Sequence, residues 1–240
     1  MFRVTPATCA GCAAGKIGFC ANLGDTAIEL IAGISRTLRI GKSRIIAREE
    51  QAPMSALVLR SGVIKVSHTL FDGRQQIVDF LTTGDVLIQH QANGKVSMTV
   101  EATTDVDACE VSLANLEALC IDSPELGQSM LGAVLCEIGR KNHQVMMLGR
   151  KRADERVASF LLDFSERAAR RGAPADRVDL PMSRAEIADY LSLTTETVSR
   201  AFSLLRAEGI VRLPKPHQVE ICDLARLQEI AGGGANLSVR

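Results

Sequence analysis

The segment from Ser183 to Gly209 leaves this chain the fewest folding options. Ser183-Arg184-Ala185-Glu186 has the form of a capping box, in which a serine caps a helix start and a glutamate three residues on reaches back. Ile187, Ala188 and Leu191 give that short helix one buried face. Ser192-Leu193-Thr194 is a tight turn, Thr194 is a suitable cap for a second helix, and Gly209 stops it. The second helix points Val198, Phe202 and Leu205 inward and Thr195, Glu196, Ser199 and Arg200 outward. Two short helices joined by a three-residue turn form a helix-turn-helix, whose second helix enters the DNA major groove. The outward residues suit that task. Arg200 can donate twice to guanine, Glu196 can accept from cytosine, and Ser199 serves either. A plain helical hairpin would explain the caps and apolar faces, but not their coincidence with base-reading side chains. Ile210–Leu213 and Gln218–Ile221 read as two strands of a wing around Pro214-Lys215-Pro216-His217, where Lys215 can meet phosphate.

Upstream the pattern changes. Short β-prone runs, Leu57–Leu59, Val63–Val66, Ile77–Phe80 and Val96–Val100, alternate with turn signals at Ser61-Gly62, Asp72-Gly73, Thr83-Gly84-Asp85 and Asn93-Gly94. Regularly spaced short strands predict a small barrel or sandwich. Before them, Ile28, Ile31, Ile34 and Leu38 recur at helical spacing after Asp25, and residues 1–24 show no periodicity, reading as an irregular segment. After them, residues 123–148 form one long helical pattern with Pro124 in its first turn. Leu131, Val134, Ile138, Lys141, Val145 and Leu148 follow heptad spacing, which predicts a seam between two copies of the helix. Lys141 interrupts that seam. It either meets its own copy across a two-fold axis, at a cost, or snorkels outward to Glu137. A second helix begins near Ala153 with Val157, Phe160, Leu161 and Phe164 on its apolar face.

Composition narrows the class. At 46% hydrophobic and 23% charged, the chain can bury a core. No apolar run approaches the roughly 18 residues of a membrane span, and the N-terminus has no signal-peptide core, so a cytoplasmic protein is expected. The net charge of zero hides an asymmetry: residues 1–139 hold 11 basic and 15 acidic residues, residues 140–215 hold 15 basic and 10 acidic. The excess fits a nucleic-acid-binding half, or merely a solvated face. No nucleophile–base constellation is visible, so no enzyme is expected.

With these elements in order, the chain resembles the CRP/FNR superfamily of bacterial regulators over nearly its whole length. Leu193-Thr194-Thr195-Glu196-Thr197-Val198-Ser199-Arg200 is similar to the recognition-helix signature Glu-x-x-Ser-Arg of the FNR branch. The resemblance implies an α+β fold: a cyclic-nucleotide-binding-like β-barrel, a long dimerisation helix and a C-terminal winged helix-turn-helix. The expected division is a cysteine-rich arm over 1–24, the barrel over 25–122, the dimerisation helix over 123–149 and the DNA-binding domain over 150–240. It further implies double-stranded DNA as partner, TTGAT-type half-sites read by Glu196, Ser199 and Arg200, a homodimer, and RNA polymerase met near Phe71-Asp72-Gly73.

The superfamily divides by sensor. A cyclic nucleotide needs a cation for its phosphate, yet no arginine stands between Gly84 and Cys109, and Lys95 is a weak substitute. No cyclic nucleotide is therefore expected. The chain has seven cysteines, an odd number that argues against a disulfide framework in a reducing compartment. Cys9-x2-Cys12-x7-Cys20 plus the distant Cys109, placed just before a strand Glu110-Val111-Ser112, resembles the ligand arrangement of FNR-type oxygen sensors. Four thiolates suit zinc or an iron–sulfur cluster, and the resemblance implies an oxygen-labile [4Fe-4S] cluster. A zinc-stabilised or thiol-redox regulator remains an alternative. So does an iron–sulfur electron-transfer protein, against which the helix-turn-helix stands. Cys120, Cys136 and Cys222 lack spacing partners and are expected to be structural, and His68, His90, His143 and His217 are scattered.

Overall fold

The computed structural model describes residues 3–6, 9, 12–22, 25–47, 55–70, 72–89 and 98–234. The chain divides into two compact units, Met1–Ile138 and Gly139–Arg240.

The first unit is built on antiparallel strands in two sheets. One holds β1 (Arg3–Pro6), β2 (Arg36–Ile40), β9 (Val106–Ser112), β4 (Ser55–Ser61) and β7 (Val86–Gln89), side by side in that order. The other runs β3 (Ile45–Ala47), β8 (Thr99–Ala102), β5 (Ile64–Thr69) and β6 (Gln75–Leu81). Leu38, Ile40, Leu57, Leu59, Ile64, Val66, Leu81, Val100 and Val106 form a core shared by both sheets. Strand alternation sends Ala56, Val58 and Val111 to the opposite face of the first sheet, where a second core gathers Ala14, Ala27, Ile31, Leu113, Leu116 and Leu126. Burial on both faces explains why β4 reads as an unbroken apolar run rather than an alternating one. Asp72-Gly73 turns β5 into β6 as expected, with Gly73 at φ +86°.

Several expectations need correction. Residues 1–24 are not wholly irregular: β1 pairs with β2, and Ala13–Lys16 and Gly18–Asn22 form two 3-10 turns. α1 (Asp25–Ile34) ends before Leu38, which lies in β2. The Ser35 hydroxyl donates to the Ile31 carbonyl at 2.5 Å and satisfies the helix end there. Cys109 stands inside β9, not ahead of its strand. α2 (Leu113–Asp122), capped by the Ser112 hydroxyl, carries too weak an apolar period to have been read. Asn93-Gly94, Lys95, Val96-Ser97, Phe71 and His90 lie outside the described residues.

α3 (Pro124–Arg150) is the long helix, with Pro124 at its first position. In the second unit, α4 (Ala153–Arg170) buries Val157, Phe160, Leu161 and Phe164. They pack in one domain with β10 (Arg177–Asp179), α5 (Arg184–Leu191), α6 (Thr195–Ala207), β11 (Val211–Lys215), β12 (Gln218–Ile221) and α7 (Leu224–Ala231). β10 and α7 were not anticipated; β10 pairs with β12 and completes a three-stranded sheet. Arg156 is the hub of this unit. Its guanidinium donates to the carbonyls of Lys151 at 2.9 Å, Leu191 at 3.0 Å and Leu148 at 2.8 Å. It thereby supplies partners to carbonyls at the ends of α3 and α5 that have no intrahelical donor.

Candidate functional site

The arm and the first sheet bring the cysteine set together. Cys12 N–H donates to the Cys9 carbonyl at 3.1 Å, and Gly15 N–H to the Cys12 carbonyl at 3.0 Å. Cys20 lies in the second 3-10 turn. Cys109 lies in β9, opposite Thr37 on β2 and Val58 on β4. Directly opposed residues face the same side of a sheet, so Thr37, Cys109 and Val58 share one surface. All four cysteines line one pocket, otherwise walled mainly by apolar groups including Ile28, Ile31, Val58, Val86, Val111, Leu116 and Met130.

Burial and mutual repulsion disfavour thiolates here. Burial first, then the charges of Cys9, Cys109 and Cys12, push the Cys20 thiol up to about 12. Burial raises Cys109 to about 11, with the Arg60 charge opposing it. Cys9 is also raised, chiefly by burial. Any metal entering must therefore displace protons from these sulfurs. Among the described residues, no three His, Cys, Asp or Glu side chains stand close enough to hold a single metal ion. Cys120 is half-buried and outside the pocket lining, while Cys136 and Cys222 are exposed. Arg60, which sequence reasoning missed, also lines the pocket. Its two-residue spacing from Val58 along β4 was the available signal.

The second candidate surface is in the other unit. Ser183 N–H donates to Glu186 Oε2 at 2.8 Å and Glu186 N–H to Ser183 Oγ at 3.2 Å, a reciprocal capping box. Ser192 adopts φ +53° to turn the chain, and Thr194 Oγ1 accepts from Thr197 N–H at 3.2 Å to start α6. Val198, Ala201, Phe202 and Leu205 are buried. Thr195, Glu196, Ser199 and Arg200 are exposed together on the N-terminal half of α6. Lys215 is exposed where β11 ends and the wing turns toward Gln218. Arg184 stacks over the Phe202 ring at 3.4 Å and ties α5 to α6.

Of the helix seam, Leu131, Val134, Ile138 and Val145 are exposed, Val145 at 70%, and Lys141 and Leu148 are half-buried.

A β-rich unit followed in the chain by a winged helix-turn-helix is the organisation of a DNA-binding regulator. Residues 37–123 match the cyclic nucleotide-binding domain family and residues 155–230 the Crp-like helix-turn-helix domain family. The chain is 31% identical to the nitrogen fixation regulation protein FixK of Bradyrhizobium diazoefficiens, over 93% of each chain. It is 33% identical to the transcriptional activator protein FnrL of Cereibacter sphaeroides, over 82% of this chain and 80% of that one. The solved structure of FixK2 from Bradyrhizobium japonicum superposes with a TM-score of 0.74 at 31% identity, covering 82% of this chain and 97% of that one. This chain belongs to the CRP/FNR family of DNA-binding transcription regulators. Members of the family act as dimers and are not enzymes. No described helix is long and apolar enough to cross a membrane.

Proposed function

We propose that this regulator responds to oxygen through a [4Fe-4S] cluster held by Cys9, Cys12, Cys20 and Cys109, and that the cluster controls dimerisation and DNA binding in the cytoplasm. The supporting observation is the convergence of these four cysteines, from the arm and from β9, on one pocket. The donor set fits the group. Four cysteine thiols lining one pocket are the donors that would hold an iron–sulfur cluster. When bound, the cluster supplies the oxygen-labile element. The protein's residues do the rest: the arm cysteines fasten residues 9–20 to β9, and the apolar wall limits water.

α3 then pairs with its copy through Leu131, Val134, Ile138, Lys141, Val145 and Leu148, and two α6 helices read TTGAT-type half-sites of a palindrome with Thr195, Glu196, Ser199 and Arg200. Lys215 meets phosphate. RNA polymerase is the further partner, by family analogy. Cyclic nucleotide is not the signal in this reading, because Gly84–Cys109 contains no arginine to hold its phosphate.

Anaerobic purification tests the proposal. A brown protein carrying iron and sulfide, bleached by air, is expected, and serine at any of the four cysteines should abolish it while serine at Cys120, Cys136 or Cys222 should not. A colourless zinc protein, or normal iron in Cys109→Ser, would reject it.

A further inference from the structure

Arg60 is the only charged side chain among the described residues that line the cysteine pocket. Its place there follows from the strand. Ala56, Val58 and Arg60 alternate along β4 onto one face, the face that also carries Cys109. From that position the guanidinium bridges two parts of the chain. It donates to Thr37 Oγ1 at 3.1 Å and lines the same pocket as Cys12. Thr37 is nearly fully buried and stands directly opposite Cys109 in the β2–β9 pairing. Arg60 thus stands between the arm cysteines and the Thr37–Cys109 pair of the sheet, tied to the sheet by its bond to Thr37.

Two physical needs meet at this residue. Four thiolates outweigh the charge of the cation or cluster they bind, so a loaded site is net anionic, and an anion in an apolar pocket requires a counter-charge. The ligands also come from segments roughly ninety residues apart in sequence, and something must hold the arm in register before any metal is present. A planar guanidinium, with donors pointing in fixed directions, can satisfy a hydroxyl and a sulfur together. A lysine is a point charge and cannot brace both.

We infer that Arg60 is a positioning residue of the cysteine site: it braces Cys12 against Thr37 and Cys109, and supplies the positive charge that the loaded site lacks. The brace belongs to the protein itself, whereas the charge role rests on the cluster reading above. Groups of this kind, one shell beyond the ligands, typically change metal affinity by about 10- to 100-fold.

Arg60→Gln removes the charge and keeps a donor; Arg60→Lys keeps the charge and loses the fork. The brace is read in reduced, cluster-free protein by hydrogen exchange of the amides in residues 12–20, with β5–β6 amides as an internal control of folding. Both variants should exchange faster in the arm and unchanged in the control strands. The charge is read in anaerobically reconstituted protein by the midpoint potential of the cluster. Arg60→Gln should shift it negative, since an added electron loses a nearby cation, and Arg60→Lys should restore most of the parent value. Arm exchange equal to the parent in both variants would overturn the brace. Equal potentials in parent and Arg60→Gln, or equal shifts in both variants, would overturn the charge role. If the parent itself takes up no iron, the cluster reading fails and the charge role with it, while the exchange comparison still decides the brace.

Discussion

Replacing Gly18 with alanine should unseat the arm while leaving both folded units intact. Gly18 sits at φ +66°, and a Cβ built on it would lie 2.0 Å from the carbonyl oxygen of Gly84 and 2.8 Å from its carbonyl carbon. Gly84 is itself at φ +91°, in the turn Thr83-Gly84-Asp85, and a Cβ there would meet Ile17 Cγ1 at 2.8 Å. Two glycines are thus pressed backbone to backbone where the arm crosses the sheet. The Gly84 turn cannot yield easily. Its N–H donates to the Leu59 carbonyl at 2.8 Å, and the Asp85 carboxylate accepts from Thr82 N–H at 2.8 Å. A left-handed alanine costs about 1–2 kcal/mol, and forcing a methyl into filled space about 1–3 kcal/mol more. Roughly 2–5 kcal/mol would fall on the arm, a local element with a smaller opening free energy than the whole domain. The expected outcome is rapid hydrogen exchange in residues 12–22, iron occupancy lowered at least about tenfold under limiting iron, and an unchanged unfolding midpoint for the second unit. Gly15→Ala is the control, because its Cβ would meet nothing nearer than the Cys12 Cβ at 4.0 Å. If Gly18→Ala holds iron and protects its arm like the parent and Gly15→Ala, the contact does not seat the arm.

Further outcomes follow from other residues. Arg200→Ala should cost about 1–3 kcal/mol of specific DNA binding and relax preference at one base pair, measured against matched and single-mismatch sites. Undiminished discrimination would remove Arg200 from base reading. Lys215→Ala should weaken all sequences alike and lower the salt slope by about one unit; a sequence-dependent loss would contradict a phosphate contact. Arg156→Met leaves three carbonyls without their donor and should destabilise the second unit by about 2 kcal/mol in urea unfolding. A change below about 0.5 kcal/mol would mean that water replaces the guanidinium at no cost. Lys141→Leu should give dimers that bind DNA without a cluster, by sedimentation and titration in air; variants as monomeric as the cluster-free parent would show that Lys141 is no brake.

The helix-turn-helix was legible because its determinants are local. Ser183, Glu186, Thr194 and Gly209 act within four residues of their partners, and the buried set Ile187, Leu191, Val198, Phe202 and Leu205 repeats at helical spacing. The arm was only half legible. Cysteine spacing singled out four residues, yet spacing says nothing of the strand Arg3–Pro6, whose partners on β2 are 30 to 36 positions away. Leu38 misled for a related reason: its four-residue offset from Ile34 continues a helical period, while the hydrogen bonds that place it belong to β1 and β9. Arg60 was invisible to motif reading, since an arginine ending an apolar strand is ordinary. Its meaning comes from β4 lying beside β9, a pairing between residues about fifty positions apart.

That pairing explains why the fourth cysteine can stand so far from the other three. β9 is flanked by β2 on one side and β4 on the other, so Cys109 occupies the interior of the sheet rather than an edge. Cys109, on an interior strand, is held by hydrogen bonds on both sides, whereas the arm cysteines are held by two short 3-10 turns beside or around them and the four pairs of β1 with β2. On the proposed cluster reading, loss of the cluster would leave Cys109 where it is and act mainly on residues 12–20 of the arm. The arm is followed in the chain by α1, whose Ala27 and Ile31 pack in the same core as Leu116 and Leu126. A change in the arm thus bears first on the core that Ala14, Ala27 and Ile31 share with Leu116 of α2 and Leu126 of α3.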